Sequence, residues 1–177
     1  SLSSFNFDIV VARSRTATST GGGDPHFKGF QGQKFDFDGV EDHVYNLITD
    51  CNFQLNTRFI SIRDLTFMGE IGIMTNNHEI LLTPGGDISA IVDGKELNES
   101  RVYSFHEMSV EIVKDAGHVF VRMEGYYDVK VMDIPWKKYN ASFHNIKVTN
   151  FGRKGAGIIG HTWEMEIEED LEERYNV

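Results

Sequence analysis

The stretch that decides the fold runs from Leu65 to Gly94 and reads LTFMGEIGIMTNNHEILLTPGGDISAIVDG. It holds three apolar runs of strand length: Leu65 to Met74, Glu79 to Thr83 and Ile88 to Val92. Each is bounded by turn residues rather than continued by a helical period. Asn76-Asn77 suits a tight hairpin, because asparagine tolerates left-handed φ. Pro84-Gly85-Gly86 marks a turn, and Asp93-Gly94 signals a second hairpin.

The same pattern continues on both sides. Toward the N-terminus, Lys34 to Phe37 alternates, with Phe35 and Phe37 on one face and Lys34 and Asp36 on the other. Val44 to Ile48 and Phe53 to Phe59 follow. Toward the C-terminus come Val102 to Phe105, Ser109 to Val113, His118 to Met123, Val129 to Ile134 and Phe143 to Phe151, with Asp115-Ala116-Gly117 as a short hairpin loop. Short strands separated by turns every 8–12 residues or so predict an all-β sandwich or barrel. None of the three prolines interrupts a predicted strand. The helical candidate is Glu164 to Glu173 (EMEIEEDLEE), read as a short acidic helix or solvated tail. Residues 5–12 (FNFDIVVA) read as a separate strand, and residues 13–23 (RSRTATSTGGG) as a flexible linker or long loop. The expected organisation is an N-terminal strand and linker over residues 1–20 and a β domain over residues 21–177.

The chain has 177 residues, 40% hydrophobic and 25% charged, which is ordinary for a globular domain. No run of about 18 apolar residues predicts a transmembrane helix. The chain opens on Ser1 rather than Met, as a processed product would. A net charge of −10 argues against nucleic acid as the main partner and against docking on anionic lipid. The single cysteine, Cys51, allows no intrachain disulfide. Two sequons, at Asn98 and Asn140, are candidate glycosylation sites.

Catalytic motifs are absent. The seven histidines fall on separate predicted strands and turns without metal-ligand spacing. There is no GxSxG, and Gly21-Gly22-Gly23 lacks the Lys-Ser/Thr of a phosphate loop. The sharpest local feature is Gly23-Asp24-Pro25-His26-Phe27. An Asp-Pro bond is weak, because the Asp carboxylate can attack its own peptide carbonyl and the proline amide leaves once protonated. His26 titrates near neutrality and is placed to supply that proton. Asp24, Pro25 and His26 are therefore candidates for autocleavage; the plain structural reading of the same residues is a tight turn.

That block, followed by Phe30-Gln31-Gly32-Gln33-Lys34-Phe35-Asp36-Phe37-Asp38-Gly39, Tyr45-Asn46-Leu47 and Asp50-Cys51, resembles the opening of von Willebrand factor type D domains. Gly157-Ile158-Ile159-Gly160-His161 resembles the family's Cys-Gly-Leu-Cys-Gly-Asn segment with its cysteines lost. The likeness is greater to a cysteine-poor branch seen in root-cap-like plant proteins, protist proteins and the C-terminal domain of inter-α-trypsin inhibitor heavy chains. The resemblance implies an all-β sandwich of two packed antiparallel sheets, used outside the cell for assembly or adhesion rather than catalysis. It also implies a calcium site, but Gln31 and His161 stand where the family places Asp and Asn. Neutral Gln and imidazole are poor substitutes for hard anionic oxygens, so Asp36 and Glu164 complete the candidate calcium set. Cleavage at Asp24-Pro25 is likewise known among relatives.

Together these readings predict an extracellular, non-enzymatic structural module. It would associate noncovalently with itself or with matrix and cell-surface proteins, and Phe5 to Ala12 is available to add as a strand to a neighbouring sheet edge. The alternatives are a carbohydrate- or matrix-binding module, with Tyr126, Tyr127, Trp136 and Tyr139 as candidate stacking residues, and a self-cleaving domain.

Overall fold

In the computed structural model, which describes residues 16–23 and 26–163, fourteen strands form two antiparallel sheets. The larger sheet contains β1 (Ala17–Gly22), β2 (His26–Lys28), β3 (Lys34–Asp36), β10 (Val102–Ser104), β11 (Ser109–Val113), β12 (His118–Met123), β13 (Tyr127–Trp136) and β14 (Ala141–Asn150), in the order β10-β11-β12-β13-β14-β1-β2-β3. The smaller contains β4 (Val44–Thr49), β5 (Phe53–Ile62), β6 (Leu65–Thr75), β7 (Glu79–Leu82), β8 (Ala90–Val92) and β9 (Lys95–Leu97) in sequence order. The described residues include short 3-10 turns but no α-helix. The expected acidic C-terminal helix or tail lies outside the described residues, as does the expected strand over Phe5 to Ala12.

Alternation along the strands builds the core. Phe53, Leu55 and Phe59 of β5 and Ile71 and Ile73 of β6 face Val119, Val121, Val129, Val131, Ile146 and Val148 of the larger sheet, all buried. Across this interface the ring of Phe53 stacks on Tyr127 with centroids 4.4 Å apart. A second, smaller cluster forms at one corner from Ile62, Phe67 and Phe143, flanked by Trp136 and Tyr139.

The turns follow their residues at Asp93-Gly94 but not at Asn76-Asn77, where neither asparagine takes the positive φ expected of it. Asp93 and Gly94 both have positive φ (50° and 77°), as a two-residue hairpin between twisted strands needs. Arg63 and Asp64 do the same between β5 and β6, at 55° and 64°, without a glycine to announce it.

Two expectations are corrected. Residues 17–22, expected as linker, are a central strand between β14 and β2, so the expected boundary after residue 20 falls inside β1. Its small residues suit a crowded place: Ser19 is buried and donates to the carbonyl of Lys28 at 2.7 Å. A Cβ on Gly21 would sit 2.5 Å from the Phe27 ring. Pro135 lies within β13, beyond the point where β12 stops pairing, so its missing N–H interrupts no ladder to β12. The Asp93-Gly94 hairpin signal is completed by Lys95–Leu97, the return arm, which pairs with Ala90–Val92.

Candidate functional site

The glycine-rich strand and the β2–β3 hairpin place the residues of the Gly-Asp-Pro-His motif. A Cβ on Gly22 would lie 2.4 Å from the Asn145 side chain on β14, which would have to move to make room. Gly23 turns out of the strand at φ 68°, and its N–H donates to Asn145 Oδ1 at 3.0 Å. The glycines thus serve close strand packing and a turn. Asp24 and Pro25 lie outside the described residues. His26 begins β2 directly opposite Asp36 at the end of β3, and His26 Nδ1 and Asp36 Oδ1 are 2.5 Å apart. Both side chains are open to solvent, at 69% and 73% exposure. Through this contact the carboxylate orients the imidazole ring.

The described members of the calcium set do not fit a calcium ion. The Gln31 side-chain amide donates to the Trp163 carbonyl at 3.1 Å, and His161 Nδ1 is engaged with the Gly157 carbonyl at 2.9 Å. Asp36 is paired with His26 at the far end of the hairpin from Gln31. Among the described residues no three His, Cys, Asp or Glu side chains gather in a way that could hold a metal. Glu164 lies outside the described residues.

The aromatic candidates for sugar stacking do not share a platform. Tyr127 is core, at 1% exposure. Trp136 and Tyr139 pack edge to face at 4.7 Å in the corner cluster, at the opposite end of β13 from Tyr126. Tyr126 is covered by Arg153, whose guanidinium lies 4.4 Å from its ring centre. It lines a cleft of about 750 Å³ together with Phe105, Arg122, Asp128 and Phe151, a feature formed by turns that no single sequence motif marks. Burial there raises the Asp128 carboxyl above its ordinary value, against the opposing charge of Arg122. Asn98 and Asn140 are both exposed, Asn140 in a left-handed turn at φ 48°.

Sequence reasoning also passed over His144. It is fully buried, and its Nδ1 lies 2.5 Å from the Gly69 carbonyl on the other sheet. Its cross-strand partner Asp133 accepts from the Gly86 N–H at 2.7 Å. The two side chains therefore tie the larger sheet to the smaller one. Burial holds the His144 ring below its ordinary value, despite the Gly69 carbonyl and the charge of Asp133.

The segment that closes the domain sits on the outer edge of β4. Thr49 and Ala156 exchange backbone hydrogen bonds of 2.9 and 2.8 Å. Ile158 and Ile159 donate to the carbonyls of Asn46 and Leu47 at 3.1 and 2.9 Å. Gly157, at φ 97°, lies so close to Leu47 that a Cβ would meet its backbone at 2.7 Å. Ile159 is fully buried. Methyl packing and main-chain bonds thus hold the segment in which the expected relatives carry cysteines, and Cys51 is exposed and unpaired.

The described residues form an antiparallel two-sheet sandwich, and among them no three His, Cys, Asp or Glu side chains gather to hold a metal. The von Willebrand factor type D domain signature matches residues 19–162, and the chain belongs to that family. The family is one of extracellular adhesion and assembly modules, generally without enzymatic activity. No curated protein sequence matches the chain. No helix among the described residues is long and apolar enough to cross a membrane.

Proposed function

We propose that this domain is an extracellular assembly module that associates noncovalently with copies of itself and with matrix or cell-surface proteins. The observation that carries this reading is the cysteine chemistry. One exposed thiol can join two copies and no more, so disulfides within this domain cannot propagate a polymer. The closing segment, packed by Ile159 against the core, needs no crosslink to hold it. Strand addition by Phe5 to Ala12 finds edges of only three residues at β3, β9 and β10, and β4 is partly covered by residues 156–159. Short or covered edges are poor templates for a new strand, which gives side-chain contacts the larger part. Sedimentation velocity over a concentration series, with and without reductant, tests the reading. Reversible association unaffected by reductant is the expected outcome, and a monomer at every concentration refutes it.

A second reading, self-cleavage at Asp24-Pro25, is favoured by the His26–Asp36 pair. The carboxylate fixes the orientation of an imidazole that neighbours, in sequence, the proline nitrogen that must accept a proton. Incubation at mildly acidic pH followed by intact mass measurement tests it. A new N-terminus at Pro25, lost in Asp24→Ala and slowed in Asp36→Asn, is expected; an intact chain throughout removes it.

A further inference from the structure

The strand register assembles a feature invisible in the sequence. On the outer face of the larger sheet, Phe120 opposes Lys130 and Lys130 opposes Lys147. Lys147 opposes Thr20, Thr20 opposes Lys28, and Lys28 opposes Lys34. Directly opposed residues of an antiparallel sheet lie on one face, so four lysines stand in one row across β13, β14, β2 and β3. Adjacent strands are about 4.8 Å apart, which makes the row roughly 19 Å long. None of the four makes an ion pair with a described residue. Three carboxylates share this face: Glu111 holds Arg122 at 2.7 Å, Asp36 holds His26, and Asp128, two residues before Lys130 on β13, stands opposite Arg122. At the β12 end, Phe120 carries Arg122 over its ring at 4.7 Å and Lys130 at 5.4 Å.

A solvent-facing row of unpaired positive charge is unusual in a chain of net charge −10. Its electrostatic complement lies in the same sequence. Residues 164–173 hold seven of the 27 acidic residues, with Glu164, Glu166 and Glu168 at alternate positions. Ten extended residues span about 33 Å, longer than the row. We propose that the lysine row is the docking surface for residues 164–173 of a second copy of this chain. The inference rests on the self-association reading above and names the contact that produces it. The second copy is favoured over the same chain by the path. Trp163 packs on the inward side of the β2–β3 hairpin, edge to face on buried Phe30, whereas Lys28 and Lys34 face outward. A segment from the same chain would use its first carboxylates to round the β3 edge. Row and acidic segment are different surfaces, so the contact is head to tail and repeats. Individual exposed pairs are weak and screened by salt, and the row acts through their number.

Two full-length variants test the proposal. One replaces Lys28, Lys34, Lys130 and Lys147 with Gln. The other replaces Glu164, Glu166, Glu168 and Glu169 with Gln and Asp170 with Asn. In sedimentation velocity at low salt, the native chain is expected to associate with rising concentration, and to do so at least about tenfold more weakly at high salt. Each variant alone is expected to be monomeric with an unchanged melting temperature. Their equimolar mixture should form a one-to-one dimer and stop there, since it retains one intact row and one intact acidic segment. A mixture no larger than its parts overturns the proposal. Association that survives in both variants overturns it too, while leaving self-assembly standing. A native chain that stays monomeric yet binds dextran sulfate through the four lysines reassigns the row to an anionic glycan and refutes the proposal.

Discussion

Ile159→Ala is the substitution that most sharply probes how this domain closes without disulfides. The side chain is fully buried, and its N–H bonds to Leu47 on the edge strand β4. Truncation removes three carbons, worth about 2.4 kcal/mol of transfer free energy at roughly 0.8 kcal/mol each. The hole they leave adds a cavity term, bringing the loss to about 3–4 kcal/mol, within the range of about 2–5 kcal/mol for buried Ile to Ala. For a domain of this size each kcal/mol moves the melting temperature by about 2–4 °C, so a fall of roughly 6–16 °C is expected. Thermal unfolding followed by circular dichroism at neutral pH measures it. Ile158→Ala, half-buried beside it, is the control and should cost clearly less. Hydrogen exchange should also accelerate at the Ile158 and Ile159 amides while those of β13 stay protected. A loss below about 1 kcal/mol would refute the claim that apolar burial of this segment closes the domain.

Further consequences follow from single contacts. Gly21→Ala drives a methyl to 2.5 Å from the Phe27 ring between two strands and should cost about 1–3 kcal/mol in chemical denaturation, whereas Gly72→Ala, with open space around it, should cost well under 1 kcal/mol. Arg153→Gln removes the guanidinium from Asp50, whose side chain is only 3% exposed, for a loss of about 1–3 kcal/mol by thermal unfolding. Because His144 is held below its ordinary value, the unfolded chain takes up a proton below about pH 6.5 that the folded site resists. Stability is therefore present above that pH and falls as pH drops from 7 toward 5. His118, also lowered by burial and by Lys130, adds in the same direction. Denaturation midpoints across that pH range should show a flatter slope in His144→Gln than in the native chain.

The all-β class and the interior strands were legible because alternation and turn residues are local signals. Phe53 to Phe59 and Ser109 to Val113 carry their buried face openly, and Asp93-Gly94 states its own turn. β1 was not legible, because Ala17–Gly22 contains nothing apolar and large; the bulk that covers it belongs to Phe27 on the next strand. The Arg63-Asp64 turn hid for a related reason, since its positive φ values fall on residues that rarely adopt them. Within the motif region, the sequence identified His26 but not its partner, because pairing with Asp36 depends on the β2–β3 register. The four lysines are 6, 96 and 17 residues apart in sequence and meet only through strand order. His144 reads as one polar residue in an alternating strand, and its role as a tie to Gly69 needs the second sheet.

Noncovalent self-association is the central claim, and native mass spectrometry of full-length Cys51→Ser over a concentration series tests it most directly. That variant has no thiol, so any oligomer must be held by side-chain and main-chain contacts alone. The account predicts reversible oligomers beyond the dimer, matching those of the native chain at equal concentration. A variant that stays monomeric while the native chain forms dimers would show that Cys51 makes the contact, and would contradict the account.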